Sequence, residues 1–405
     1  MKTLSTIPAT LTLLLPFAAS QSNLTAHLPN EYTYLLPRPF NNTFTQPFVD
    51  TNISDPTAST QLSQARTSSF ISYSDEFDTI LGPDPQVRLI AESPHPFAFE
   101  GGVWIPPLNQ IWFTAFLNPP PGYITILDIR TSTTFRPNLT GPAANIPINP
   151  NGAYYFNGLV YLTSFGNPTT SPSIVSIDPH TYATHEVLNS FFGLPLNGPD
   201  DVTIARSRTT GQPCLFYSDF FFAVEGLAGT WPGPQELPNA VYRFTSADES
   251  LQMAISPLDV QTPNGLAVNR DNTLLYVSDG PDSAVFGQPY NSTSGTPGLY
   301  VFDLGGVDGC TPMNKRLLSI ARQGFVNGIK IDDFGRIWGT EYEGVVVRSQ
   351  TGKVLGVFNV VDIVGTDGPD VATGANFALA KDELFILGFQ KIYAVKLGKA
   401  VKTWY

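Results

Sequence analysis

Glu100, Asn151, Asp200, Asn264, Asn327 and Asn376 each head a short stretch of alternating apolar residues, spaced about 50 to 65 positions apart. Their contexts rhyme: Glu100-Gly-Gly-Val-Trp-Ile, Pro150-Asn-Gly-Ala-Tyr-Tyr, Pro199-Asp-Asp-Val-Thr-Ile, Pro263-Asn-Gly-Leu-Ala-Val, Val326-Asn-Gly-Ile-Lys-Ile and Ala375-Asn-Phe-Ala-Leu. Two carboxylates and four amides are oxygen donors. A hard cation such as Ca2+ takes six to eight oxygens at about 2.3–2.6 Å. The set holds neither Cys nor His, which argues against zinc or copper. A purely local explanation competes: Asn and Asp head strands because their side chains bond their own backbone in turns. Taken singly, Asn151 and Asn376 read as turn residues. Glu100 does not, because Glu has no special turn role.

Shared chemistry requires these six residues to meet, and the elements around them provide for it. Each signature leads through a turn into an aromatic-rich strand, such as Ile111-Trp-Phe-Thr-Ala, Leu159-Val-Tyr-Leu-Thr-Ser, Cys214-Leu-Phe-Tyr-Ser-Asp and Leu274-Leu-Tyr-Val-Ser-Asp. Further strands complete each unit, among them Gly122-Tyr-Ile-Thr-Ile-Leu-Asp, Gly298-Leu-Tyr-Val-Phe-Asp and Lys391-Ile-Tyr-Ala-Val. Period-two alternation bounded by Gly, Pro and Asn is the mark of strands and hairpins. Four strands repeated six times predict an all-β fold, a six-bladed β-propeller with four-stranded antiparallel blades around a central channel. Two β-sandwiches in series would not explain why one signature opens every unit. In a propeller the first strand of each blade lines the channel, so the six head residues are expected to converge at its mouth.

A second set, Asp219, Asp279 and Glu341, ends the second strands, and the reading preferred for it is structural, with carboxylates accepting backbone N–H groups. Hydrolase, metalloprotease and phosphate-loop motifs (Gly-x-Ser-x-Gly, His-Glu-x-x-His, Gly-Lys-Ser/Thr) are absent. Of the four histidines, His95 lies five positions before Glu100, and a surface loop is its expected place. Phe99, Trp104, Phe165, the run Phe220-Phe221-Phe222, Trp231 and Tyr342 offer an apolar pocket, although for any one of them packing between blades is the commoner role.

Only 14% of the 405 residues are charged, and the formal net charge is −12. An acidic surface disfavours nucleic acid and anionic membranes as partners and leaves a small molecule as the expected one. Residues 1–20 read as a secretory signal, with Lys2, an apolar run from Ile7 to Ala19, and small residues before Gln21. No later run is apolar for long enough to span a bilayer. Asn-x-Ser/Thr sequons at Asn23, Asn41, Asn52, Asn138 and Asn291 fit a secretory route, ending outside the cell or in a secretory organelle. Residues 21–69 lack clear periodicity and are expected to form an extended, glycosylated arm before a propeller over 70–400. Val87-Arg-Leu-Ile is expected as a short strand. Cys214 and Cys310 fall in different blades, so two separate buried thiols are expected rather than a disulfide.

The signatures resemble those of the gluconolactonase / senescence-marker-protein family of calcium-dependent six-bladed propellers, and more closely its secreted fungal lactonohydrolases. The resemblance covers about Phe70 to Leu397 and is carried by "YSDEFDTILGPDP", "INPNGAYY", "TPNGLAVN", "GIKIDDFGRIW" and "ANFALA". It implies a lactone ring opened by water, with a metal polarising the carbonyl. It implies that Glu100 and Asn264 match the family's metal-binding glutamate and asparagine. Asp200 falls where the family has the Asn of an Asn-Asp pair. Asn327 falls where it has an Asp that serves as metal ligand and proposed base. Phe99 stands where close fungal relatives carry His. Asp200 restores the carboxylate that Asn327 lacks, but an amide cannot act as a general base.

Three functions are therefore expected in order. The first is a lactone hydrolase of fungal secondary metabolism. There Glu100, Asp200, Asn264 and Asn327 hold Ca2+, Asp200 and Asn327 are the catalytic positions, and Asn151, Asn376, Phe99, Phe220, Phe221 and Tyr342 contact substrate. The second is a metal-free pericyclase of the hetero-Diels–Alder type, acting in tropolone or terpenoid natural-product biosynthesis and using the aromatic pocket. The third is a non-catalytic binding propeller.

Overall fold

β-Branched and aromatic residues in short alternating runs, cut by turns rich in Gly, Pro and Asn, fold into six antiparallel blades. The computed structural model describes residues 24–115, 122–224, 233–281, 295–365, 376–399 and 401. The signal segment 1–20, the sequons at Asn23 and Asn291, and Trp231 lie outside the described residues. No helix among the described residues is long and apolar enough to cross a membrane.

The first strands of blades 1 to 6 are Glu100–Ile105, Pro150–Phe156, Pro199–Arg206, Pro263–Val268, Ile329–Ile331 and Asn376–Ala380. Each pairs with the strand that follows it, and the order within blades 1 to 4 is the chain order from channel to rim. First strands touch from blade 1 through blade 5, and that of blade 6, Asn376–Ala380, touches the first, Glu100–Ile105. Apolar layers fill the wedges between blades. Val103, Trp112 and Ile126 meet Ala153, Leu162 and Val175 between blades 1 and 2. Phe377, Leu379 and Ile386 meet Trp338, Val345 and Val347 between blades 6 and 5.

The two ends of the chain close the ring together. Blade 6 takes three strands from the C-terminal part and its outermost from Val87–Glu92, which pairs antiparallel with Lys391–Lys396. The strand expected at Val87 is thus the clasp of the propeller.

The described part of the expected arm, residues 24–69, is folded rather than extended. Thr25–His27 pairs parallel with Phe70–Ser72, which pairs antiparallel with Val354–Asn359, so blade 5 grows to six strands. The helix Pro56–Arg66 starts on Asp55, whose side chain accepts the Ala58 N–H at 2.8 Å, with Pro56 in the first turn. Its face of Ala58, Leu62 and Ala65 packs on Leu28, Tyr32, Ile71 and Val357. That i, i+4, i+7 stripe is the signal that the Asn-, Thr- and Ser-rich composition hid. Asn41, Asn52 and Asn138 are exposed.

The cysteines also depart from expectation: Cys214 and Cys310 form a disulfide, with Cα atoms 6.5 Å apart. Cys214 is the second residue of the second strand of blade 3, Pro213–Asp219, and Cys310 precedes the last strand of blade 4. Different blades do not mean distant ones, because adjacent blades share an apolar layer, and both cysteines lie in it with Phe216, Val241 and Phe302. The bridge closes a loop with a sequence separation of 96, which confines the unfolded chain by about 4–5 kcal/mol. Replacing Cys214 and Cys310 together by Ser is therefore expected to lower unfolding free energy by a comparable amount in denaturant titrations. A loss below about 1 kcal/mol would mean that the bridge constrains little.

Candidate active site

The heads of the first strands crowd at one end of the channel, and three local devices set them there. In blades 1 to 4 the first strand carries a register shift at its head: between Glu100 and Val103, Pro150 and Ala153, Pro199 and Val202, and Pro263 and Leu266. A bulge turns a side chain out of the alternation of the pleat. It aims the head residue along the channel mouth.

The second device is the residue after the head. A Cβ at Gly152 would lie 2.3 Å from the Asp200 carbonyl oxygen, and one at Gly265 would lie 1.9 Å from that of Asn327. Only glycine admits the next blade this closely. The Asn-Gly pair is thus two requirements in sequence, a ring amide and a gap for the neighbouring backbone. In blade 3 Asp201 stands at that position. Its carboxylate accepts Leu266 N–H of the next blade at 2.9 Å and Val202 N–H at 2.9 Å.

The third device is a girdle of hydroxyls on the second strands. Thr114, Thr163 and Ser218 donate to the carbonyls of Asn151, Asp200 and Asn264 in the following blade, at 2.8, 2.9 and 2.6 Å. Ser218, Ser278 and Thr340 accept the N–H of Asp201, Gly265 and Gly328 within their own blades. These hydroxyls are visible in the sequence as the Ser or Thr of "YSD", "VSD", "LTS", "GTE" and "FTA". Their role as inter-blade ties had no sequence signal beyond that recurrence.

Glu100 is 5% exposed and accepts amide hydrogens from Asn327 at 3.0 Å and Asn376 at 2.8 Å, one on each oxygen. Asp200 accepts from Asn151 on Oδ1 at 2.6 Å, and its Oδ2 makes no hydrogen bond among the described residues. The Oδ1 of Asn264 is buried without a hydrogen-bond partner among the described residues. Five of the six predicted ring residues are therefore joined in two hydrogen-bonded groups, and Asn264 stands apart with an unused acceptor.

The two groups feel each other electrostatically. Burial raises Asp200 well above the usual carboxylate range, and the Glu100 and Asp201 charges raise it further. Burial pushes Glu100 up to about 7, against the lowering effect of its Asn376 and Asn327 hydrogen bonds. Asp201 is raised by burial too, and Lys330 pulls it down.

Below the mouth the channel is apolar, lined by Val103, Ala153, Val202, Leu266 and Ile329, with the single side-chain charge of Lys330 among them. Neither Asp201 nor Lys330 was singled out from the sequence. Asp201 was legible as the second half of an Asp-Asp pair; Lys330 looked like one residue of an alternating strand.

Buried carboxylates that repel each other, beside an amide oxygen lacking a donor, have the donor chemistry of a cation seat. Among the described residues no three His, Cys, Asp or Glu side chains cluster as ligands, so such a seat draws on amide oxygens as well as carboxylates.

The second set is structural. Asp219 accepts Asn197 and Gly198 N–H at 3.0 and 2.8 Å, and Asp279 accepts Thr262 N–H at 2.8 Å, pinning the entry into blades 3 and 4. Burial raises Asp219 to about 7 despite these bonds. Glu341 accepts Arg322 N–H and pairs with Arg348.

Among the described residues the aromatic side chains make the following contacts. Phe99 meets Phe389 with centroids 4.7 Å apart, Phe220 packs against Phe221 and Phe222, with Phe165 beside Phe222, and Tyr342 meets Phe325. Trp104 belongs to the layer between blades 1 and 6, and His95 is exposed.

Comparisons with known proteins agree with this architecture. Residues 220–362 match the family model described as SMP-30/Gluconolactonase/LRE-like region. The chain is similar to lactonohydrolase oryL of Aspergillus oryzae, 27% identical over 79% of this chain and 72% of that protein. It is also similar to a gluconolactonase of Zymomonas mobilis, 24% identical over 71% of this chain and 76% of that protein. Among solved structures, a gluconolactonase of Xanthomonas campestris superposes with a TM-score of 0.62 at 21% identity, over 80% of this chain and 93% of that one. A calcium-binding regucalcin of Agrobacterium tumefaciens gives 0.53 at 15% identity, over 79% and 96%.

The girdle carries a testable load. Ser218 is fully buried and bonded on both sides, so Ser218→Ala strands one N–H and one carbonyl. The expected cost is about 2–4 kcal/mol of stability, read by denaturant unfolding. A change within about 0.5 kcal/mol would show that the girdle does not hold the blades.

Proposed function

We propose that this chain, a gluconolactonase-like six-bladed propeller, is a lactone hydrolase whose channel mouth binds Ca2+ through Glu100, Asp200, Asn264 and Asn327. The observation that carries the reading is the pair of mutually repelling buried carboxylates beside the unpartnered Asn264 oxygen. The names of the curated relatives support the reaction class. Bound there, Ca2+ would polarise the lactone carbonyl and stabilise the oxyanion that forms on it.

The residues of the chain supply the rest. Asn327 is an amide and Phe99 is apolar, so neither can take a proton. Asp200 can. Asn151 holds its Oδ1, and Oδ2 is left to accept a proton from a water. That water's oxygen attacks the carbonyl carbon as its proton passes to Asp200. The ring C–O bond then breaks, and the proton moves from Asp200 to the departing ring oxygen, giving the open hydroxy acid. Burial and the neighbouring Glu100 raise the proton affinity of Asp200, which suits it to that shuttle.

Asn376 and Asn327 keep Glu100 in place through its two oxygens. A cycloaddition site would need a continuous apolar wall, and among the described residues the ring contacts of Phe99 with Phe389, Phe220 with Phe221 and Phe222, and Tyr342 with Phe325 lie on different blades. The hydrolytic reading is preferred for that reason. The apolar leader, together with exposed sequons at Asn41, Asn52 and Asn138, supports a secretory route.

Assays on an aldonolactone and an aromatic lactone test this. EDTA is expected to abolish turnover and CaCl2 to restore it. Asp200→Asn is expected to lower kcat by about a hundredfold or more while the variant keeps its fold. Lactone turnover that survives both treatments would remove the proposed roles.

A further inference from the structure

Asn327 is the one ring residue that lies outside its strand. The other five sit within their first strands, whereas the first strand of blade 5 runs only from Ile329 to Ile331. The backbone N–H of Asn327 donates to the Thr340 carbonyl at 2.8 Å, but the stretch that leads into it, 321–326, belongs to no strand. Sheet pairing therefore does not fix this side of the mouth, and other contacts have to.

The N-terminal arm supplies them. Ile329–Ile331 and Ile337–Glu341 are antiparallel, with Ile329 opposite Gly339, so residues 342–343 emerge at the mouth end beside 321–326. The arm is tied to both. Arg322 Nη2 donates to the Thr43 carbonyl at 3.4 Å, Gln323 Nε2 donates to that of Thr45 at 2.8 Å, and Glu343 accepts the Phe48 N–H. The arm segment is held from behind as well. Asn42 donates to the Pro47 carbonyl at 3.1 Å and to Thr51 Oγ1 at 2.6 Å, and Arg66 of the helix donates to Asp50 at 2.6 Å. A loop closed on itself and anchored to a helix loses less entropy on docking than a free chain.

The two loops so tied share Tyr342. Its ring lies against Gly324, where a Cβ would fall 2.6 Å from Tyr342 Cδ1, and it meets Phe325 with centroids 6.4 Å apart. The ties at Gln323 and Glu343 thus flank Tyr342, and the stretch they hold runs directly into Asn327.

We propose that the arm segment 43–48 is a strap that positions Asn327 and Tyr342 at the mouth, with Glu343 the positioning residue that fastens it. The hold on the loops stands on these contacts alone; its effect on turnover rests on the lactone-hydrolase reading. Loosening the strap frees 321–326 and 342–343, and Asn327 and Tyr342 lose their place. Substrate capture then weakens before the proton transfer at Asp200 does, because no atom of the strap touches Asp200 among the hydrogen bonds described.

The test uses the full chain as wild type, Glu343→Ala and Glu343→Gln. Hydrogen exchange is followed by mass spectrometry, steady-state kinetics are measured on an aldonolactone in saturating CaCl2, and melting temperatures are recorded. In Glu343→Ala, peptides covering 43–50 and 321–328 are expected to exchange at least about tenfold faster, as the loss of a hydrogen bond to a charged group implies. KM is expected to rise about fivefold or more while kcat stays within about twofold. Glu343→Gln keeps an acceptor for the Phe48 N–H and is expected to stay near wild type on both readouts. A merely structural loss would lower the melting temperature and leave KM unmoved.

Unchanged exchange over 321–328 in Glu343→Ala overturns the strap. Faster exchange with an unchanged KM overturns the positioning role, and a Glu343→Gln variant that behaves like Glu343→Ala overturns the part given to the Phe48 contact. If the wild type turns over no lactone, the hydrolase reading fails, and exchange alone then decides the strap. Should Glu343→Ala not fold, Gln323→Ala, which removes the tie to Thr45, takes its place in every arm.

Discussion

The closeness of the six first strands around the channel is the constraint on which the rest of the structure depends. Where Gly265 passes the Asn327 carbonyl there is no room for a methyl group, and the same is true of Gly152 beside Asp200. Backbone that close needs its polar groups satisfied, and water cannot reach them. The hydroxyls of Thr114, Thr163 and Ser218 do that work from the second strands, each reaching the carbonyl of the next blade's head residue. The ring is thereby a product of backbone packing first and of side-chain chemistry second. Its polar head residues point into a space whose size the glycines and hydroxyls set.

That small space explains the electrostatics. Glu100, Asp200 and Asp201 would each be ordinary carboxylates on a surface. Shielded from water, all three hold their protons more tightly, and the neighbouring charges raise Glu100 and Asp200 further. Amides from Asn151, Asn327 and Asn376 ease the burden by donating to them. The apolar lining below the mouth keeps the dielectric low, so every one of these interactions counts for more than it would in solvent.

Much of the scaffold was legible because it repeats. A signature followed by an alternating strand, a turn and an aromatic strand, six times over, has few solutions that bury every apolar face. The ring was legible for the same reason: a residue type recurring at the head of each unit is drawn to one place by the symmetry of the fold. Features that occur once were harder to see. The helix Pro56–Arg66 sits in a segment whose composition resembles a linker, and its stripe of Ala58, Leu62 and Ala65 is weakly apolar. The disulfide joins blades that are neighbours in space, and blade number alone does not say which strands of two blades come near.

Sequence alone determined which residues stand at the strand heads, and therefore that two carboxylates and four amides share a channel mouth. It also determined what cannot act there: Asn327 has no carboxylate and Phe99 has no imidazole. Only the tertiary structure decided how those groups divide. It tied Glu100 to Asn327 and Asn376, tied Asp200 to Asn151, left the Asn264 oxygen without a donor, and brought Asp201 and Lys330 into the same field. The physical reason is distance. Alternation along a strand says which way a side chain leaves its own blade, whereas hydrogen bonds and charge interactions depend on angstrom-scale separations between blades. Those separations follow from how closely the blades pack around the channel.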